Sequence, residues 1–156
     1  MHYIGRLLNN VVAFSLFYSG LLFLIASVRL KNRVVVLMYH RVIPSSRQEY
    51  CHSSPGIVVQ ESTFRTHLAF FRNFFRVMSL DELTDHLDNG TPLPDKGCLI
   101  TFDDGWIDNY QTAYPLLRKY EMPATIFLPV NFVGTENLFW QEELNMRLTR
   151  LLASKN

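Results

Sequence analysis

The stretch Leu99-Ile-Thr-Phe-Asp-Asp-Gly-Trp106 decides the fold class of this 156-residue chain. A short apolar run leads directly into two adjacent carboxylates and a glycine. A buried carboxylate without a partner is unfavourable or takes up a proton, so the interior of a strand gains nothing from such a pair. The pair therefore marks the end of a buried strand, and its surroundings must explain why two like charges lie there.

Around this stretch, short apolar runs alternate with amphipathic segments. The run Val34 to His40 is rich in β-branched residues and predicts a first buried strand. Phe64, Leu68, Phe71 and Phe75 repeat at helical spacing, and Ser62 or Thr63 is expected to cap their helix. Ser79 and Glu82 are expected to form a capping box for the next helix, and Pro115 to kink or shorten a later one. We predict further strands at 75–79, 98–102 and 124–128, a loop over 41–60, and helices at 61–74, 80–87, 108–120 and 142–152. This α/β alternation is typical of a parallel sheet covered by helices, either open or rolled into a barrel.

The N-terminal segment contains no charged residue between Leu7 and Val28. About 20 apolar residues span a bilayer, so the segment is predicted to be a transmembrane helix. A cleaved signal peptide and a hydrophobic helix lying on the membrane or on the domain are the alternatives. The basic residues Arg29, Lys31 and Arg33 favour a cytoplasmic location for the C-terminal body of the chain. We therefore predict a membrane helix with a basic flank at 1–33 and one domain at 34–156.

Composition excludes some functions and compartments. With 15 basic and 14 acidic side chains, the chain has no basic excess, and we expect no nucleic-acid partner. Its two cysteines, Cys51 and Cys98, do not form a CxxC pair. Cys98 lies inside an apolar run, which favours a packed thiol over a disulfide.

The adjacent carboxylates Asp103 and Asp104 fit two interpretations. In the functional one, one acid binds a metal ion and the other acts as a base toward water, because a nearby cation lets both remain ionised. In the structural one, Asp104 or Asp108 caps the next helix along the chain. Gly105 would allow a ligand to approach the backbone closely in the functional case.

Longer motifs decide between these interpretations through a resemblance. The segment TFDDGWIDNY at 101–110 resembles the first motif of the polysaccharide deacetylases, the family with the NodB homology domain. The segments LMYHRV, SLDEL, LDNG, PLP and PATIFL occur in the order in which that family has similar sequences, and the resemblance covers residues 34–148. It implies a partial (β/α) barrel of the NodB type and metal-dependent removal of N-acetyl or O-acetyl groups from a polysaccharide.

The resemblance also implies roles for individual residues. Asp103 would be the general base and Asp104 a ligand of a divalent metal, usually zinc. His40 would match the histidine that ends the first strand in a circularly permuted branch, where it is proposed to protonate the departing amine. The structural alternative for His40 is a histidine whose hydrogen bonds are satisfied at a strand end.

The chain departs from the family pattern after Asp104. The family takes two further metal ligands from a downstream His-x-x-x-His motif, whereas all five histidines of this chain precede Asp104. Its length also allows roughly four strands, where a closed barrel has about eight. We therefore expect the chain to form the N-terminal half of a deacetylase domain and to have little activity alone. A second chain could complete the barrel. The alternative function is an inactive, membrane-anchored remnant that binds glycans or a partner.

Overall fold

A computed structural model describes residues 2–44, 46 and 53–153, with side chains from residue 10 to residue 152 inside those ranges. Cys51 and His52 lie outside the described residues. The helices and strands, in chain order, are α1 (His2–Tyr18), α2 (Leu21–Arg29), β1 (Val34–Tyr39), β2 (Arg41–Ile43), β3 (Val58–Gln60), α3 (Glu61–Phe74), β4 (Arg76–Val77), α4 (Leu80–Asp88), β5 (Gly97–Phe102), a π-helix (Asn109–Ala113), α5 (Tyr114–Tyr120), β6 (Thr125–Ile126) and α6 (Trp140–Ala153).

Strand β5 is the centre of a parallel sheet. All six of its residues are buried, which matches the predicted apolar run. Strand β1 pairs with it over its whole length, from Val34 opposite Gly97 to Tyr39 opposite Phe102. Strands β4 and β6 pair with its beginning and its end. The α/β class is confirmed, and the strands in the described part of the chain form an open four-stranded sheet and a separate two-stranded one, not a closed barrel.

The core forms where α3 and α5 pack on this sheet. In α3 the buried residues Phe64, Leu68 and Phe71 repeat at helical spacing, as the sequence predicted. They meet aromatic and aliphatic side chains of the two main strands; the ring centroids of Phe64 and Phe102 are 5.9 Å apart. Cys98 lies in the same cluster as a buried free thiol, so the packing interpretation of this cysteine is confirmed.

The helix caps were predicted with mixed success. Ser79 caps α4, since its Oγ accepts a hydrogen bond from the Glu82 amide at 3.1 Å. The predicted caps of α3 were wrong, because that helix begins at Glu61 and residue 60 is at its N-cap. Ser62 and Thr63 are therefore already inside its first turn.

The predicted loop over 41–60 is wrong at both of its ends. Strands β2 and β3 form a parallel pair in which Val42 lies opposite Val59. Val42 and Ile43 are buried. This short apolar segment forms a strand, although a polar loop follows it, because its side chains cover the core.

The helix predicted over 108–120 is divided into two helical types. A π-helix occupies Asn109–Ala113 and the α-helix begins at Tyr114, with Pro115 in its first turn. Helical structure is continuous from residue 107 to residue 120, so Pro115 does not shorten this helix, and the expected kink stays a prediction.

The apolar N-terminal segment does not form one long helix. It bends by 79° between Asn10–Tyr18 and Leu21–Arg29, near Gly20, which has a φ of 75°. No single helix in the described ranges is both long and apolar enough to cross a membrane, although the bent pair reaches that length and composition together. The rings of Phe23 and Phe74, 4.7 Å apart, join this segment to α3.

Candidate active site

Two of the predicted site residues come directly after neighbouring strand ends. Tyr39 and Phe102 are the last paired residues of β1 and β5, and the Asp103 amide donates a hydrogen bond to the Tyr39 carbonyl at 2.9 Å. His40 and Asp103 therefore leave the sheet side by side. In α/β folds ligands bind at the carboxyl ends of the strands, which is where these residues lie.

The turn after Asp103 has a tightly defined backbone. Asp104 and Gly105 have φ values of 70° and 60°, and both lie in the left-handed region. This region is disfavoured for residues with a Cβ, and aspartate is one of the few that adopt it repeatedly. A Cβ on Gly105 would also lie 2.3 Å from Cδ2 of Leu128. Strained backbone of this kind clusters at functional sites.

A cavity of about 330 Å³ brings His40 and Asp104 together. Trp106, Phe139 and Glu142 also border it, and Glu142 is a buried carboxylate at the start of α6. Asp103 is half-buried and does not line this cavity. Of the three predicted site residues, His40 and Asp104 thus line the same cavity, and Asp103 lies next to Asp104 along the backbone.

A second, larger cavity borders Asp104 from another side. Its volume is about 440 Å³, and its walls come from the turn after β5 and from the segment between β6 and α6. Trp106 and Phe139 line both cavities, with ring centroids 5.3 Å apart. Asp104 therefore borders two cavities: the smaller has more polar and charged side chains in its lining, and the larger is more apolar.

Sequence reasoning missed a buried ion pair beside these cavities. The Oδ2 of Asp108 accepts hydrogen bonds from Nε and Nη2 of Arg41 at 2.9 and 2.8 Å, and its Oδ1 accepts one from the Val42 amide at 2.9 Å. Asp108 makes no capping bond to the helix after it, so the capping interpretation of this residue was wrong. The charge of Arg41, one residue after His40, is visible in the sequence, but nothing near it in the sequence indicates Asp108 as its partner.

The Arg41 guanidinium connects this pair to the aspartate turn. It donates to Oγ of Ser53 at 2.7 Å and lies 4.3 Å from the centroid of the Trp106 ring, a cation–π contact. The indole Nε1 of Trp106 in turn donates to Oδ2 of Asp104 at 3.4 Å. A continuous set of contacts therefore runs from Asp108 to the Asp104 carboxylate.

Burial changes the acid–base properties of the strand residues next to the site. Burial raises the pKa of the Tyr39 hydroxyl to about 12, with the nearby Cys98 thiol adding to the effect, and burial raises the pKa of Cys98 to about 11. The Tyr39 hydroxyl shares a hydrogen bond with Nδ1 of His67 at 3.0 Å. At neutral pH both groups are protonated, so neither serves as a base in the site.

The described residues do not by themselves make a zinc site. In the part of the chain that the structure describes, no three His, Cys, Asp or Glu side chains are grouped to hold a metal ion. Catalytic zinc sites take three protein ligands. Asp104 offers one carboxylate to the cavity.

Comparisons with known proteins agree with this geometry. Residues 90–150 match the family model described as polysaccharide deacetylase. The poly-beta-1,6-N-acetyl-D-glucosamine N-deacetylase of Staphylococcus aureus (strain MSSA476) is 30% identical over 115 residues, which cover 69% of this chain and 39% of that protein. The predicted resemblance to the polysaccharide deacetylases is confirmed.

Two solved structures share the fold. The structure of IcaB from Ammonifex degensii aligns with a TM-score of 0.56 and 31% identity, over 76% of this chain and 49% of that one. The Streptococcus pyogenes deacetylase PplD in complex with acetate aligns with a TM-score of 0.55 and 28% identity, over 74% and 52%. This chain therefore spans about half the length of these two solved chains and less of the curated relative.

Proposed function

We propose that this chain forms the aspartate-bearing part of a polysaccharide N-deacetylase. The observation that carries the proposal is the meeting of His40 and Asp104 at one cavity, at the ends of paired strands, in a chain similar to deacetylases. The relatives from Staphylococcus aureus and Escherichia coli act on poly-β-1,6-N-acetyl-D-glucosamine, so the proposed substrate is an N-acetylated glucosamine polymer.

In the proposed reaction, water adds to the acetamide carbonyl, the C–N bond breaks, and acetate and a free amine form. Asp103 takes the proton from the attacking water, and His40 gives a proton to the departing nitrogen. A divalent cation, when bound, supplies Lewis acidity at the carbonyl, and Asp104 is its proposed ligand from this chain. The other ligands are proposed to be imidazoles of a further polypeptide region or of a second chain that completes the barrel.

The test is acetate release from acetylated β-1,6-glucosamine oligomers with added Zn²⁺. We expect little release by the chain alone. A fusion of the chain to the complementary half of the Staphylococcus aureus relative should release acetate, and Asp103→Asn or Asp104→Asn should abolish it. A folded but inactive fusion, or a fully active Asp103→Asn fusion, would show that the proposed function is wrong. Glycan binding without catalysis is not favoured, because the relatives named in the comparisons are deacetylases.

We further propose that α1 and α2 attach the chain to a membrane. Phe14, Leu24 and Val28 on these helices are 64%, 63% and 71% exposed. Exposed apolar helices with basic residues at their end are typical of segments that bind anionic lipid. Co-sedimentation with anionic phospholipid vesicles should be lost in Phe14→Asp and Leu24→Asp, whereas the matched substitution Leu87→Asp on α4, also exposed, should have no effect. The cytoplasmic location of the body stays a prediction.

A further inference from the structure

A third cavity lies between the N-terminal helices and the domain. Its volume is about 230 Å³, and its walls come from α1 and α2 on one side and from α3 and the residue before β5 on the other. All of its lining residues are apolar except Lys96, and five of them are phenylalanines. Apolar cavities stay free of water, and one of about 150 Å³ is large enough to bind benzene. The cavity therefore suits part of a hydrocarbon chain.

Ring contacts join the two walls of this cavity. The rings of Phe23 on α2 and Phe74 on α3 have centroids 4.7 Å apart. Phe17 lies 5.4 Å from Phe23, and Phe70 lies 4.7 Å from Phe74, so the contacts extend along both walls. Leu22 and Phe70 line the cavity and are also exposed. The cavity is therefore open at the surface, beside the apolar N-terminal helices.

The charged residue of the wall lies in a basic region of the chain. The Lys96 amide donates a hydrogen bond to the Leu30 carbonyl at 2.9 Å, and this bond joins the start of β5 to the end of α2. Three basic residues flank Leu30 in the sequence: Arg29, Lys31 and Arg33. An apolar wall and a group of positive charges therefore meet at Lys96.

The Lys96 ammonium forms no ion pair with a carboxylate among the residues that the structure describes. The adjacent acidic residue, Asp95, accepts a hydrogen bond from the Asn32 amide at 2.9 Å through its Oδ1. A cation without a carboxylate partner attracts an anionic group, and the apolar wall beside it favours a ligand that is otherwise hydrocarbon. An anionic phospholipid has both parts, a phosphate and acyl chains.

We propose that this cavity holds one acyl chain of an anionic phospholipid, with the lipid phosphate at Lys96. The inference rests on the membrane attachment proposed for α1 and α2, because the bilayer supplies the lipid. It goes beyond that attachment by assigning one lipid to a defined position between α2 and α3. The lipid then forms part of the contact between the N-terminal helices and the domain.

The test measures contact between brominated acyl chains and a single tryptophan, because bromine quenches tryptophan emission only at short range. The whole chain carries Trp106→Phe and Trp140→Phe, which remove both native tryptophans. Phe70→Trp then places a reporter in the cavity wall, and Leu24→Trp places one on an exposed part of α2 that does not line the cavity. Circular dichroism establishes folding, and Leu22→Trp, also in the wall, serves if Phe70→Trp does not fold.

The vesicles are phosphatidylcholine with a minor fraction of phosphatidylglycerol, and either lipid carries the bromine. At the Phe70→Trp reporter, phosphatidylglycerol should be enriched roughly fivefold over its bulk fraction, the factor that one lysine near an anionic group contributes. At the Leu24→Trp reporter, the lipid in contact should be close to the bulk composition.

Two matched lysine substitutions separate a defined site from general electrostatics. Lys96→Met and Lys31→Met each remove one positive charge from the same region, so a general attraction to anionic lipid would fall equally in both. The proposed site predicts that Lys96→Met abolishes the enrichment at position 70 and that Lys31→Met retains it. Ala26→Phe, which fills the cavity, should reduce quenching at position 70 by both lipids and leave co-sedimentation with the vesicles unchanged.

Equal enrichment at the two reporters, or equal effects of Lys96→Met and Lys31→Met, would overturn the proposal. Co-sedimentation of the same chain with the vesicles would then still support the membrane attachment. A chain that does not sediment with the vesicles would overturn both proposals together. None of these readouts depends on acetate release, so the proposed deacetylase function is tested separately.

Discussion

The Asp108 carboxylate accepts a hydrogen bond from the Val42 amide at 2.9 Å across 66 residues of sequence. Removal of one partner from a buried ion pair leaves an uncompensated charge. We expect Asp108→Ala to lower the free energy of unfolding by about 3 kcal/mol, measured by urea denaturation. Glu61→Ala, which breaks the exposed pair with Arg65, should cost less than about 1 kcal/mol. Similar losses in the two variants would contradict the buried role of Asp108.

Two constraints favour glycine at position 105: its left-handed backbone and the closeness of the Leu128 side chain. They can be tested separately. Gly90 has nearly the same φ, 61° against 60°, but a Cβ there would meet no atom within 4 Å. Gly90→Ala should therefore cost about 1 kcal/mol for the left-handed backbone alone. Gly105→Ala should cost about 1 kcal/mol more, because Leu128 must leave its rotamer. Thermal unfolding measures both variants, and Leu128→Ala should remove the excess. Equal costs in the two alanine variants would show that Leu128 moves freely.

The buried thiol and phenol predict a loss of stability in alkali. The pKa of Cys98 rises from 9.0 to about 11 and that of Tyr39 from 10.0 to about 12 on folding. The unfolded chain therefore releases these protons first, and the stabilisation is complete below pH 9 and is lost as the pH rises through 11 to 12. The urea midpoint should fall across this range. Cys98→Ala should be less stable at pH 7 but lose stability less steeply between pH 9 and 11; parallel curves would contradict the assignment.

Asn109 is a fourth candidate for stability measurements. It is 2% exposed, and neither polar atom of its side chain has a hydrogen-bond partner among the described residues. A buried amide without partners is destabilising, so Asn109→Leu should raise the free energy of unfolding by about 1 kcal/mol. Asn109→Asp should lower it, since a charge is then buried. A clear loss of stability in Asn109→Leu would show that the amide binds a water molecule or another group.

The sequence predicted the parts of the fold that depend on local patterns. The burial of β5, the apolar face of α3 and the cap of α4 follow from the apolar run before Asp103, the spacing of Phe64 and Leu68, and the Ser79–Glu82 pair. The β2–β3 pair was missed because three-residue strands have no measurable period and gain their stability from tertiary packing.

The site was predicted in a similar way. His40 ends the first predicted strand, Asp104 comes shortly after the strand predicted at 98–102, and the two residues meet at one cavity. Their roles, and that of Asp103, stay predictions. The Arg41–Asp108 pair could not be predicted, because its partners are far apart in sequence and each has a local alternative, a solvated charge or a helix cap.

The π-helix at Asn109–Ala113 makes this region sensitive to its exact number of residues. Such a turn accommodates one residue more than an α-helix does. Deletion of a single residue there would let regular α-helical bonding extend upstream from Tyr114, and the direction of every preceding side chain would rotate by about 100° around the axis. Asp108 would then turn away from Val42 while the core face of α5 stayed in place, so a one-codon deletion would separate the assembly of the site from the folding of the domain.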